Sequence, residues 1–384
     1  MEYKPLGSMV NRKIGYGIVQ PGQSVPDGVP VIKVNNLISG LKSPSELDTT
    51  ARENEAKYSR TRLHGGELIV SVVGTIGKTA IVPKSFAGCN LVRATALIDI
   101  EDELMSKWVK YYFDSPCGQS YIEQNLNTTV QPTLNIKSLV EMPIPIRDTT
   151  EMGKNVLLLS ALDEKIEVNR QINDNLQQQA AALFSGLYAR TNTEVRFTDL
   201  IQILGGGTPK TGENTYWNGN IAFFTPKDVG TPYTLVTEKT ITEDGLSHCN
   251  SRLYPVNTVF VTARGTVGKV GMSGVPMAMN QSCYALVGKE THQLLVYFYT
   301  LKAVDRLKHK ASGAVFDAIT TRDFESEQIM KLSDDDATAF LRVAEPMFQE
   351  VLNNNIENLR LSTLRDSLLP KLMSGEIDVS AVQL

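Results

Sequence analysis

The chain contains the same pattern twice. GELIVSVVGTIGKTAIV at residues 66–82 lies over NTVFVTARGTVGKVGMS at 257–273, so Gly74-Thr75-Ile76-Gly77-Lys78 falls 191 residues before Gly265-Thr266-Val267-Gly268-Lys269. At nearly the same offset VPVIKVNNL (29–37) matches NIAFFTPKDV (220–229), each an extended apolar run leading into a polar pair. The opening PLGSMVNRKIGYG lies over RFTDLIQILGGGT, and TVQPTLNIKSLVEMPIPI (129–146) over AVFDAITTRDFESEQIMK (314–331) at an offset of 185. The same elements recur in the same order with small insertions, which is the signature of a duplication. Two like domains are therefore required, in line with the two or three that about 150 residues per domain would give for 384 residues.

Each copy ends in a helical stretch. From Met152 the apolar and small positions run Met152, Asn155, Leu159, Leu162, Ile166, Asn169, Asn173, Leu176, Ala180, Leu183 and Leu187. Steps of three and four alternate without a break, the seam of a coiled-coil helix. Pro143 and Pro145 close the preceding strand, Asp148-Thr149-Thr150-Glu151 supplies N-cap chemistry, and Gly186 lies near the far end. The second copy, after Asp334-Asp335-Asp336, uses Leu341, Phe348, Leu352, Ile356, Leu359, Leu364, Leu368 and Leu372, and Gly375 stops it. The acidic triplet complements a helix N-terminus. Each helix is about 40 residues and roughly 60 Å long. A stripe of that length does not fit inside one domain of 150 residues, so the two helices are expected to pair antiparallel, with the globular domains at opposite ends. The pairing seam is centred on Leu162, Ile166, Asn169, Asn173, Leu176, Leu352, Ile356 and Leu359; the asparagines, with Asn353, Asn354 and Asn355, would specify register rather than add stability.

The rest of each copy reads as short strands between Gly/Pro-rich turns: Val29–Val34, Glu67–Val73, Thr79–Val82, Ile221–Thr225, Thr258–Thr262 and Ser282–Val287, with short helices at Leu104–Phe113 and Leu294–His309. Strands that follow one another without helical crossovers pair mainly antiparallel. The fold class is α+β, with two mixed α/β domains separated by two long antiparallel helices in a pseudo-twofold repeat. The segments are 1–148, 149–192, 193–332 and 333–384.

Several function classes are excluded. No run of about 18 apolar residues occurs, so no membrane partner is expected. MEYKPLGSMV has no charged segment followed by an apolar core, as a secretory signal would. Cys89, Cys117, Cys249 and Cys283 lack CxxC spacing, and His64, His248, His292 and His309 are isolated, so no metal site is expected and a reduced, cytoplasmic protein is. The net charge of −4 is unevenly spread. Residues 1–148 carry 16 Lys+Arg against 15 Asp+Glu and 195–330 carry 13 against 12, whereas the two helical segments carry the acidic excess. Near-neutral domains still bind DNA if their cations gather on one face.

GTIGKT (74–79) ends like a phosphate-binding GxxxxGK[ST] loop, but Val72 stands at the first glycine and Val270 replaces the magnesium-binding hydroxyl in the second copy. A β-rich stretch follows it instead of a helix. Two readings remain: a hairpin turn whose glycines supply φ > 0, or a turn tip at which Lys78, Arg264 and Lys269 meet phosphate. No GxGxxG, methyltransferase motif, HExxH or GxSxG is present. The run Asp99, Glu101, Asp102, Glu103 with Lys107 fits no compact magnesium site and reads as a solvated loop before a helix. No catalytic residue is assigned and the chain is not expected to be an enzyme.

The turns are rich in groups that contact nucleic acid. The first copy offers Asn11, Arg12, Lys13, Tyr16, Lys33, Asn35, Asn36, Arg60, Arg62, Lys78 and the stretch 127–131. The second offers Thr208, Lys210, Thr211, Tyr216, Trp217, Asn218, Lys227, Asp228, Arg264, Lys269, Asn280 and Gln281. Arg reads guanine and Asn or Gln reads adenine by bidentate bonds, while Lys and Thr hold phosphates. For any single residue a solvated loop is the commoner explanation; recurrence in equivalent loops of both copies favours the loops.

These features together resemble the specificity subunit of type I restriction–modification systems. The carriers are the GTIGK and GTVGK segments, Asn280-Gln281, LNIKSLVEMPIPI, the helix LDEKIEVNRQINDNLQQQAAALF (162–184) and LRDSLLPKLMSGEI (364–377), of which LLPKLMSGEI is the more specific. Asn90-Leu91 stands where the family usually shows Asn-Gln, and Val73 where Arg264 does. The resemblance implies a DNA-binding subunit without catalysis of its own, in which each target recognition domain reads one half of a bipartite asymmetric site in double-stranded DNA. The helices would act as spacer and dock two methyltransferase subunits, with restriction subunits joining through them. S-adenosylmethionine, ATP and Mg would be bound by those partners and no cofactor by this chain. The same chain could serve a type IIB fused methyltransferase–nuclease. A coiled-coil scaffold that does not bind DNA, and a nuclease with a hidden metal site, are the remaining readings.

Overall fold

A computed structural model of the protein describes residues 2–41, 43–127, 131–230, 232–310, 318–377 and 379. Packing divides the chain into two units, Met1–Glu164 with Leu361–Leu384, and Lys165–Arg360, so each long helix contributes one part to each unit.

In the first unit a four-stranded antiparallel sheet runs in the order Arg12–Tyr16, Thr95–Asp99, Leu68–Ser71, Thr79–Ile81, and its two central strands are buried on both faces. Beside it Val29–Ile32 pairs antiparallel with Thr49–Thr50 and parallel with Asn90–Leu91. Helix Glu103–Asp114 starts where the Asp102 carboxylate accepts from the Leu104 amide at 2.9 Å, and buries Trp108, whose indole N–H donates to the Pro145 carbonyl at 2.7 Å. That helix joins Leu68, Val70, Ile98 and Leu372 in one core. The second unit repeats the plan. Its sheet runs Ile201–Gly205, Cys283–Gly288, Val259–Thr262, Val270–Ser273 and Tyr233–Thr234, and Trp217–Phe224 pairs antiparallel with Lys239–Ile241 and parallel with Met277–Met279. Helix Gln293–Lys310 closes its core over Phe184, Phe340 and Phe348. The fold is thus mixed α+β with mainly antiparallel strands, and the strand expected from Ile221 begins at Trp217. Pro143 and Pro145 do not close a strand but lie within Pro143–Ile146, paired with Glu2–Pro5. In an antiparallel pair every second residue turns its N–H away from the partner. The bond from the Leu6 amide to the Met142 carbonyl sets the alternation that puts both prolines at such positions, so their missing N–H costs no ladder bond.

The long helices span Thr149–Tyr188 and Asp334–Ser374, 40 and 41 residues. Asp148 caps the first, its carboxylate accepting from the Thr150 amide at 2.9 Å. Ser333 caps the second, accepting from Asp336 at 3.1 Å, and Gly375 ends it with φ 75°. Within the first unit Asn155 reaches the Leu372 carbonyl at 3.4 Å and Asp163 pairs with Arg365 at 2.6 Å; rising numbers on one helix meet falling numbers on the other, so the pairing is antiparallel. Within the second unit Asn169 donates to Glu357 and Asn358 at 2.6 and 3.0 Å, and Asn173 to Asn355 at 3.0 Å, while Asn354 donates to Asn173 at 2.9 Å. The sense is the same. Ile166, Asn169, Asn173 and Leu352 are buried, and Leu162, Leu176 and Ile356 half-buried. Leu359 is not a buried seam residue: it is 43% exposed, Leu364 is 47% and Leu183 38%. Phe184, stacked on Phe298 with centroids 4.9 Å apart, takes the position that Leu183 was expected to fill, while Leu187, the next seam residue, is buried.

Candidate nucleic-acid interface

The two GTxGK segments are hairpin turns between antiparallel strands. A hydroxyl from the preceding strand clamps each. Ser71 Oγ donates to the Thr75 carbonyl at 2.6 Å and accepts from the Lys78 amide at 2.8 Å. Thr262, 191 residues on, donates to the Thr266 carbonyl and accepts from the Lys269 amide at 2.9 Å. Gly74 and Gly265 have φ 80° and 82°, and open space surrounds the Cβ position of Gly74, so conformation rather than room demands glycine. The Lys78 and Lys269 side chains are exposed, with no carboxylate partner among the described residues. Ser71 and Thr262 had no place among the candidates; their hydroxyls at equivalent positions were the available signal.

Backbone bonds beside the turns align the two copies residue by residue. The Val72 amide donates to the Ala94 carbonyl at 2.8 Å, as Ala263 does to Ser282 at 2.8 Å. Val73 bridges to Thr133 and Arg264 to Ala318. The offset is therefore 191 at the turn, 188 at the facing strand and 185 at the bridge. This corrects the alignment of Asn90 with Asn280. Asn90 is wholly buried, accepting from the Thr61 hydroxyl at 2.9 Å and donating to Glu55 at 3.0 Å. The residues that stand where Asn280 and Gln281 do are Val92 and Arg93. Arg93 is exposed, carries no ion pair among the described residues, and was missed because the loop before it shifts the register by three.

The structure sorts the first-copy candidates into two groups. Arg12 is a brace: its guanidinium donates to Asp99 at 2.5 Å, to the buried Glu67 at 2.6 Å and to the Arg62 carbonyl at 2.8 Å. Arg62 holds the buried Glu55 in a fork at 2.8 and 2.5 Å, and that bond keeps the Glu55 carboxyl below its ordinary pKa. Lys33 pairs with Asp48 at 2.6 Å, and Asn36 accepts from the Lys33 amide at 2.7 Å. Tyr16 donates to the Leu134 carbonyl at 3.2 Å, and burial raises its pKa. Lys13, Asn35 and Arg60 are exposed, as is Asn11. Of the stretch 127–131, residues 128–130 lie outside the described residues. In the carboxylate run, Asp99 serves Arg12, Asp102 caps a helix and Glu103 pairs with Lys107 at 2.9 Å.

In the second unit four turns converge. The Thr208 hydroxyl donates to the Gln281 side chain. The Asn280 amide donates to the Phe224 carbonyl at 3.0 Å, and its side chain accepts from the Ser282 amide at 3.0 Å. The Arg264 amide reaches the Ser282 carbonyl at 3.3 Å, and the Thr266 hydroxyl the Pro226 carbonyl at 3.3 Å. Gly206 permits the close approach, since a Cβ there would stand 2.3 Å from the Asn280 carbonyl oxygen. Arg264, Lys269, Thr208 and Gln281 are exposed on this cluster, and the exposed Lys227 lies 3.5 Å from Glu238. Asp228 is taken by the Thr225 hydroxyl at 2.6 Å. A second group forms where the Trp217 indole donates to the Lys210 carbonyl at 3.1 Å and Lys239 lies 5.5 Å over its ring. Nearby, Tyr216 stacks on His248 with centroids 4.9 Å apart. Thr211 and Asn218 are exposed in the adjoining turns.

The model of the type I restriction modification DNA specificity domain matches residues 2–178 and 190–331, both copies. The chain belongs to this family. Among relatives in it, the EcoBI specificity subunit of Escherichia coli is 29% identical, with 44% of this chain and 37% of that one covered. The HindI specificity subunit of Haemophilus influenzae is 23% identical over 66% of this chain and 73% of that one. The chain thus spans well under half of the first relative's length and about three quarters of the second's. The same fold occurs in the S subunit of a type I restriction–modification system from M. genitalium, with a TM-score of 0.58, 16% identity, and 96% and 95% of the two chains covered. No described helix is long and apolar enough to cross a membrane.

Proposed function

We propose that this chain is the DNA-reading subunit of a type I restriction–modification complex, each recognition domain reading one half of a bipartite asymmetric site. The observation that carries this reading is the duplicated hairpin turn, with the same hydroxyl clamp and, at each tip, an exposed lysine that has no carboxylate partner among the described residues, in a chain that the family model matches in both copies. Exposed cations on a rigid turn suit phosphate contact, and unlike side chains at equivalent positions suit unlike half-sites. The long helices serve as spacer and dock two methyltransferase subunits, through which restriction subunits join. Methylation and cleavage belong to those partners, which bring S-adenosylmethionine, ATP and Mg, and the complex works in the cytoplasm. The names of the relatives favour this arrangement over a type IIB enzyme and over a scaffold.

The test compares adenine methylation in the native host with and without the gene. Loss of methylation at one bipartite motif on deletion is the expected result. An unchanged pattern, together with salt-insensitive DNA binding by the purified complex, would overturn the reading. Inserting whole turns into both long helices should lengthen the spacer of that motif by about one base pair per 3.4 Å and leave the half-sites intact.

A further inference from the structure

The junction between the hairpin turn and the facing strand differs between the copies in one respect. The turn side of the junction holds Val73 in the first copy and Arg264 in the second, and the strand side holds Arg93 in the first and Gln281 in the second. Each copy therefore has one arginine here, on opposite sides of the same backbone bond. Both arginine side chains are exposed and neither has an ion pair among the described residues. Arg12 and Arg62, in contrast, are consumed by buried carboxylates. A guanidinium left unpaired beside a clamped turn keeps its fork of donors for a planar acceptor pair, and guanine presents such a pair in the major groove.

We propose that Arg93 and Arg264 are the guanine-reading residues of the two recognition domains, and that their placement on opposite sides of the junction puts the guanine at different positions in the two half-sites. This rests on the DNA-reading function proposed above and names the residues that carry it.

The experiment determines the methylation motif made by the complex with its methyltransferase subunits, for the natural chain and for Arg93→Gln, Arg93→Lys and Arg264→Gln. A bipartite motif is expected from the natural chain. Arg93→Gln should change or relax one position in one half only, lowering preference for the cognate base by about 5- to 150-fold, and Arg264→Gln should do so in the other half. Arg93→Lys should behave as Arg93→Gln, because lysine keeps the charge and loses the fork. The proposal is overturned if Arg93→Gln leaves the motif intact, or if it weakens all sequences alike and lysine restores binding. Unchanged urea midpoints for the variants confirm that folding is not the cause. Absence of any bipartite motif from the natural complex would instead remove the DNA-reading function itself.

Discussion

Asn173 offers the sharpest test of how the helix pair is specified. Its side chain is 4% exposed in the second unit and faces Asn354, itself 6% exposed. The Asn354 amide donates to Asn173 Oδ1 at 2.9 Å and the Asn173 amide donates to Asn355 Oδ1 at 3.0 Å. Replacing Asn173 by Ala removes these two bonds and the longer one from its amide to the Val351 carbonyl at 3.5 Å. Asn355 is half-buried and recovers a partner from water, but the Asn354 donor is left orphaned in the seam. An unsatisfied buried donor costs about 1–3 kcal/mol, so Asn173→Ala should lower stability by that amount. Replacing both residues, Asn173→Leu with Asn354→Leu, removes the orphan and adds apolar area, and should return stability to within about 1 kcal/mol of the natural chain. The assay is urea unfolding followed by circular dichroism, with amide exchange over 165–188 to place the loss in the second unit. The slope m should stay constant, so that the midpoint reports stability. A single-variant cost below about 0.5 kcal/mol, or a double variant as unstable as the sum of the singles, would refute the view that these asparagines specify register at the expense of stability.

Other consequences follow from the same geometry. Burial pushes the Asp163 carboxyl up, but Lys110 at 3.6 Å and Arg365 at 2.6 Å outweigh it and hold its pKa below the ordinary value. Its stabilising contribution is thus present above the unfolded carboxylate pKa, near 3.9, and is lost as pH falls through the lower folded value. Asp163→Asn should destabilise the chain by about 1–3 kcal/mol at pH 7, less than a fully buried pair would, and flatten the acid limb of a stability–pH curve measured by urea midpoints. A variant as acid-sensitive as the natural chain would contradict this. Ser71→Ala and Thr262→Val should each cost about 1 kcal/mol by removing the turn clamp, and lower DNA affinity in one half-site without affecting the other in footprinting. Lys78→Ala should weaken binding to all sequences alike and reduce the salt slope of log K by about 1; a sequence-dependent loss would assign it a base instead.

Some of this was open to view in the amino-acid order. The duplication, the two long helices, the hairpin nature of GTIGK and GTVGK, and most strands came from local patterns: apolar runs between Gly/Pro-rich turns for strands, steps of three and four for helices, glycine where φ is positive. The seam was readable at most positions, with Leu187 and Leu372 near its ends buried; Leu183, Leu359 and Leu364 lie on the exposed side, and Phe184 is buried instead of Leu183. The candidate interface was less legible. Its loops were found, while Arg93 was missed because the Asn-Gln pattern was laid on Asn90-Leu91, two residues before the position that matches Asn280.

The sequence by itself determined that the chain is doubled, that each copy is an α+β domain and that each ends in a 40-residue helix class of element, because those properties are periodic and local. Only the tertiary structure decided which cations are spent. Arg12 meets Asp99 from 87 residues away and Glu67 from 55, and no spacing rule announces such pairs. A cation is available to a partner only when the fold brings no carboxylate to it, which depends on contacts between distant strands.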